Sequence, residues 1–144
     1  MNSQFDFVED GGVTSAAGFK ACGVCAGLKR NGSADMAIIA SDADCSFAGT
    51  FTSNLFPAAP VRYCREICAK SKNIRAITLN SGVANACTGL EGNENTRRTA
   101  ELTAECLGIA PDQVMVASTG RIGVQLPMDI IEKGIREGVG KLSY

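Results

Sequence analysis

Histidine and tryptophan are both absent from this 144-residue sequence. Without an imidazole, neither a Ser–His–Asp triad nor a Cys–His pair can be built from this chain alone, and the commonest metal ligand is missing. An excess of charge is also lacking: 14 Lys and Arg stand against 15 Asp and Glu, a net charge of −1. With no basic cluster, a nucleic-acid partner is not expected. The densest basic spots, Lys29-Arg30 and Arg97-Arg98, read as solvated faces. No apolar run approaches the roughly 18–20 residues of a bilayer span, so no membrane partner is expected either. The opening stretch "MNSQFDFVEDGG" has neither the cationic start and apolar core of a secretory signal nor the arginines of a mitochondrial presequence. The expected location is cytoplasmic. The phosphate-binding patterns GxGxxG and GxxxxGK[ST] are missing, which leaves "TGRIG" as a weak glycine pattern, and no cofactor is expected.

What is present suits a globular protein: 45% apolar and 20% charged residues, in a length that supports one domain, 1–144, with its own core. Cysteine is plentiful, with Cys22, Cys25, Cys45, Cys64, Cys68, Cys87 and Cys106. Cys22, Cys25, Cys64 and Cys68 could in principle offer four thiolates to zinc. Their surroundings read instead as a small-residue strand and a helix, so free, mostly buried thiols are the better reading.

The apolar segments alternate in type along the chain. Residues 19–29, 35–42 and 45–53 are short, close together and separated by turn residues such as Asn31-Gly32, which predicts adjacent antiparallel strands. Pro60 opens a helix reaching about residue 71, with Val61, Cys64 and Cys68 on one face. A buried strand follows at 74–82. A long helix is expected at about 92–108, capped by Asn93 or Asn95 and ended by Gly108 and Pro111. "QVMVAS" is a further strand. The last helix, "PMDIIEKGIREGVGKL", places Met128, Ile131, Ile135 and Leu142 on one face. Its internal glycines cost about 1 kcal/mol each relative to alanine, so it must rely on tertiary packing. This order predicts a mixed α/β fold, with glycine-bearing strand-to-helix turns at Asn80-Ser81-Gly82 and Ser118-Thr119-Gly120.

The second of these turns carries the candidate chemistry. It can be read as a chain reversal, as a phosphate cradle, or as an oxyanion hole in which the Thr119 hydroxyl and the Gly120 N–H meet a developing alkoxide. From the residues alone the chain reversal is the default. For Asn80 and Asn85 the expectation is satisfaction of loop backbone, and for Cys87 a buried small residue.

Six stretches in order change the weighting: "GVTSAAGF", "GVCAGLK", "AGTFTSNLFPAAPV", "RAITLNSGVANACTG", "LGIAPDQVMVASTGRIGVQLPMD" and "IIEKGI". From Gly12 to about Leu142 the chain resembles the N-terminal part of the ArgJ-type ornithine acetyltransferases. The resemblance implies the αββα-type sandwich of that fold, of which this chain is the N-terminal (α-chain) portion. It implies transfer of acetyl from N-acetylornithine to glutamate in arginine biosynthesis, some members also using acetyl-CoA as donor. Family precursors cleave themselves, and the new N-terminal threonine of the β chain becomes the nucleophile, with its own α-amino group available as base. A β-chain partner and a heterotetramer are therefore implied. Thr119 and Gly120 match the family's oxyanion-hole positions.

No threonine here sits in the family's cleavage motif, so the chain is expected to be inactive alone. The alternative reading is a catalytically inactive fragment, from a truncated or split gene, acting as an interaction module. Departures from the family pattern include Val83 in place of asparagine, Arg121 in place of an apolar residue, and a "TSAAG" loop without its proline. No substrate-binding residue can be assigned.

Overall fold

The computed structural model describes residues 8–144; the first seven residues of the opening stretch considered above lie outside the described residues. Four strands form one mixed sheet in the order β1-β2-β3-β4: β1 (Phe19–Val24), β2 (Met36–Cys45), β3 (Ile74–Val83) and β4 (Val114–Arg121). β1–β2 and β2–β3 are antiparallel, and β3–β4 is parallel. Three helices, α1 (Ala59–Lys70), α2 (Gly89–Leu107) and α3 (Met128–Val139), pack side by side on one face, α3 over β1 and β2 and α1 and α2 over β4. A parallel pair needs a long crossover, and α2 supplies it between β3 and β4. The mixed α/β expectation holds, and the described residues contribute one helical layer and one sheet layer.

The period-2 pattern of the strands decides which side chains meet the helices. Ile38, Ala76, Thr78, Val114 and Val116 point into the helical face and are buried. There they meet Leu102, Ala104, Ile131 and Ile135 in two adjoining apolar clusters. The opposite parity, Ile39, Ile77, Leu79 and Met115, points to the uncovered face and is half-buried.

Four expectations need correction. Residues 46–58 are irregular, not a strand. Both edges of β2 are already taken by β1 and β3, so no ladder is open to a strand following it directly. The segment instead leans on α1, where the Arg65 guanidinium donates to the Thr52 carbonyl and lies 5.7 Å from the centre of the Phe51 ring. Second, α2 begins at Gly89, ahead of both asparagines proposed as its cap. Buried Asn85 organises that start: its Nδ2 donates to the Gly92 carbonyl and Thr96 Oγ1, both at 2.8 Å, and its Oδ1 accepts from the Thr88 hydroxyl at 2.7 Å. Third, the thiols are not mostly buried: of the seven only Cys64 is, while Cys25 and Cys87 are exposed, Cys87 on backbone with φ 57°. Fourth, neither Asn80-Ser81-Gly82 nor Ser118-Thr119-Gly120 is a turn, because β3 continues through the first to Val83 and β4 through the second to Arg121.

α3 confirms its dependence on packing. Gly134 and Gly138 are buried on its sheet-facing side. A Cβ on Gly134 would lie 2.5 Å from Met36 Sδ and 2.7 Å from Ala26 Cβ. Leu142 lies past the helix end yet packs against the same cluster.

Candidate functional site

The C-terminal ends of the parallel pair run in register: Asn80 with Ser118, Ser81 with Thr119, Gly82 with Gly120 and Val83 with Arg121. Side chains brace this end from within. Ser118 Oγ donates to Asn80 Oδ1 at 2.6 Å, and Asn80 Nδ2 donates to the Val83 carbonyl at 2.8 Å. Asn80 therefore satisfies local backbone, as expected of it. Gly82 and Gly120 both have positive φ, 116° and 129°. A Cβ on Gly120 would overlap the Gly82 carbonyl carbon and lie 2.6 Å from Val83 N. Two backbones in direct contact leave room for glycine alone at this position.

Thr119 shares the parity of Met115 and Ala117, so its side chain stands on the uncovered face of the sheet, beside Ser81. There it borders a cavity of about 360 Å³ lined also by Asp35, Leu79 and Ala117. Among the described residues the Thr119 hydroxyl makes no hydrogen bond and β4 has no neighbour on its outer edge. Half of an edge strand's peptide groups face away from its partner, so this end of β4 can present donors to a ligand.

Asp35, which sequence reasoning missed, holds the other wall. Its side chain is 2% exposed, and its carboxylate accepts from the N–H groups of Ala26 at 2.7 Å, Gly27 at 3.2 Å and Lys29 at 2.8 Å. Its main-chain carbonyl accepts from Ser81 N–H at 2.8 Å. Burial pushes this carboxyl upward, but donors from Lys29, Ala26, Gly27 and Leu28 outweigh it and hold the group below the usual carboxylate range. The loop so fixed lies against Gly82, where a Cβ would come within 3.3 Å of the Leu28 carbonyl oxygen. The sequence signal was thin: one aspartate immediately before an apolar strand.

The cysteines do not converge. Among the described residues no three Cys, Asp or Glu side chains come together as a metal site. Burial pushes the Cys22 and Cys64 thiols up, which makes both poor nucleophiles, and Cys64 donates to the Val116 carbonyl. No helix among the described residues is long and apolar enough to cross a membrane.

Residues 20–143 match the model of the ArgJ family. The chain belongs to the ArgJ family. Among its relatives, the arginine biosynthesis bifunctional protein ArgJ of Thermotoga neapolitana is 54% identical over 127 residues, covering 88% of this chain and 32% of that protein. The ArgJ protein of Symbiobacterium thermophilum is 48% identical over 135 residues, covering 92% of this chain and 33% of that protein. The chain thus spans about a third of the length of the curated relatives it matches. The crystal structure of ArgJ from Bacillus halodurans superposes with a TM-score of 0.86 at 41% identity, covering 90% of this chain and 68% of that one. Ornithine acetyltransferase from Mycobacterium tuberculosis, solved in complex with ornithine, superposes with a TM-score of 0.89 at 41% identity, covering 92% and 71%. The ArgJ fold is therefore present over nearly the whole chain.

Proposed function

We propose that this chain supplies the oxyanion half of an acetyl-transfer site that moves acetyl from N-acetylornithine to glutamate. The single observation that carries the reading is the Gly82–Gly120 contact, which fixes Thr119 at the cavity mouth with its hydroxyl free. The Thr119 O–H and Gly120 N–H are the two donors. They act where charge develops, at the carbonyl oxygen of the acetyl group as it becomes an alkoxide.

The nucleophile is a threonine of a β-chain partner, with which this chain forms a heterotetramer in the cytoplasm. Its hydroxyl oxygen bonds to the acetyl carbon while its α-amino group takes the proton. As the tetrahedral intermediate collapses, the α-ammonium returns its proton to the leaving amine, the C–N bond breaks, ornithine departs and an acetyl ester is left on the threonine. The glutamate amine then attacks that ester through a second tetrahedral intermediate stabilised by the same two donors, and its collapse breaks the ester C–O bond, returns the amine's proton to the threonine oxygen and releases N-acetylglutamate. Acetyl-CoA can serve as an alternative acetyl donor in the same chemistry. No other cofactor is involved.

Support comes from the family membership and from the fit of this geometry to the donor role. The test joins this chain with the part of the Thermotoga neapolitana relative that it does not match. The mixture is expected to form a stable complex that transfers acetyl, whereas the isolated chain transfers none. Transfer by the 144 residues alone would overturn the proposal. A stable complex without transfer would favour the interaction-module reading.

A further inference from the structure

Arg121 follows directly on Gly120, and the oxyanion chemistry makes no use of it. It lines a second cavity, of about 320 Å³, together with Arg30 and the walls formed by Leu28, Val83, Val124 and Ile130. No carboxylate lines this space. Among the described residues neither guanidinium takes part in an ion pair or hydrogen bond, although Lys20, Arg75, Arg97, Arg98 and Arg136 all have acidic partners. Both arginines are exposed, so their guanidinium groups are open to an anion that enters the cavity and can accept charge-assisted hydrogen bonds from each.

Both arginines project from backbone that is already fixed. The Arg121 carbonyl accepts from Ala84 N–H at 2.9 Å at the end of the paired strands. Arg30 follows Lys29, the last of the three donors clamped by the Asp35 carboxylate. Less ordering is then required when a ligand arrives. Guanidinium forks match the planar or tetrahedral oxygen arrays of carboxylate and phosphate, and the apolar walls accommodate the carbon body carrying them.

We infer that the cavity between Arg30 and Arg121 is a binding site for an oxyanion group, carboxylate or phosphate, borne on an aliphatic chain. The site adjoins the proposed oxyanion hole, yet its binding chemistry stands without it.

Calorimetric titration of the 144-residue chain with glutarate and, separately, with inorganic phosphate tests this. Saturable binding of at least one probe is expected, and which probe binds identifies the oxyanion. Arg121→Leu and Arg30→Leu, each checked for native circular dichroism, should each weaken it about tenfold or more, as loss of a charge-assisted bond does. Arg121→Lys should retain part of the binding, and Arg98→Leu, on the far side of α2's acidic pairs, should leave it unchanged. If neither probe saturates, or if Arg30→Leu and Arg121→Leu bind like the parent, the inference is overturned. The readout involves no acetyl transfer, so failure of the proposed activity would leave it standing.

Discussion

Asp35, a residue with 2% of its surface exposed, fixes one wall of the Thr119 cavity although the sequence did not single it out. Asp35 accepts three backbone N–H groups, and those partners are invisible to composition or spacing because every residue type offers them. Thr119 and Gly120 were singled out by the resemblance to the ArgJ family, whereas the residues alone read as a chain reversal. What could not be read was the contact itself, because Gly82 lies 38 residues away along the chain and meets Gly120 only through the parallel register. Asp35 also gives the molecule a pH dependence with a definite sign. Its folded pKa is lowered, so its stabilisation is complete above the unfolded value of about 3.9 and is lost as pH falls through the folded value. Asp35→Asn is expected to cost about 2–3 kcal/mol at neutral pH through donors left poorly matched. Urea unfolding at several pH values should show a smaller loss of stability below about pH 5 in the variant than in the parent. Parallel curves for the two proteins would contradict the assignment.

The helices and inner strands were legible from periodicity, and the exceptions share one cause. Residues 45–53 read as a strand, but the edges of β2 are occupied by elements from both earlier and later in the chain. α2 starts at Gly89 rather than beside Asn93 or Asn95, and buried Asn85 braces its first turn by donating to the Gly92 carbonyl and Thr96 Oγ1. In each case a specific strand or side-chain partner, not periodicity, decided the outcome. α3 shows the opposite balance, with local propensity and packing in conflict. Alanine in place of Gly134 improves helix propensity by about 1 kcal/mol. It also drives a methyl group against Ala26 Cβ, which is anchored to backbone and cannot swing aside. Overpacking of this kind costs about 1–3 kcal/mol. Gly134→Ala should therefore lower the urea midpoint, and an increase would show that α3 is not held to the sheet by this contact.

Over the whole molecule, one face of the sheet is covered by helices and the other carries half-buried Ile39, Ile77, Leu79 and Met115 with no covering layer among the described residues. Leu55 and Phe56 are also exposed, and among the described residues β4 leaves an unpaired edge. Apolar surface and an open edge both favour association, so the isolated chain is expected to sediment as a concentration-dependent mixture larger than a monomer. A single monodisperse monomer would show that the uncovered face tolerates water. The same face holds the Thr119 cavity, so under the proposed function a partner that covers the sheet would also bring the nucleophile to the oxyanion donors. The most direct test is the turnover number for acetyl transfer in the complex with the complementary part of the Thermotoga neapolitana relative, comparing Thr119→Ala with the parent chain. Loss of one oxyanion donor predicts a fall of about 10²–10³ in kcat, with Thr119→Ser retaining most of the activity. An unchanged kcat in Thr119→Ala would contradict the placement of the oxyanion hole on this chain.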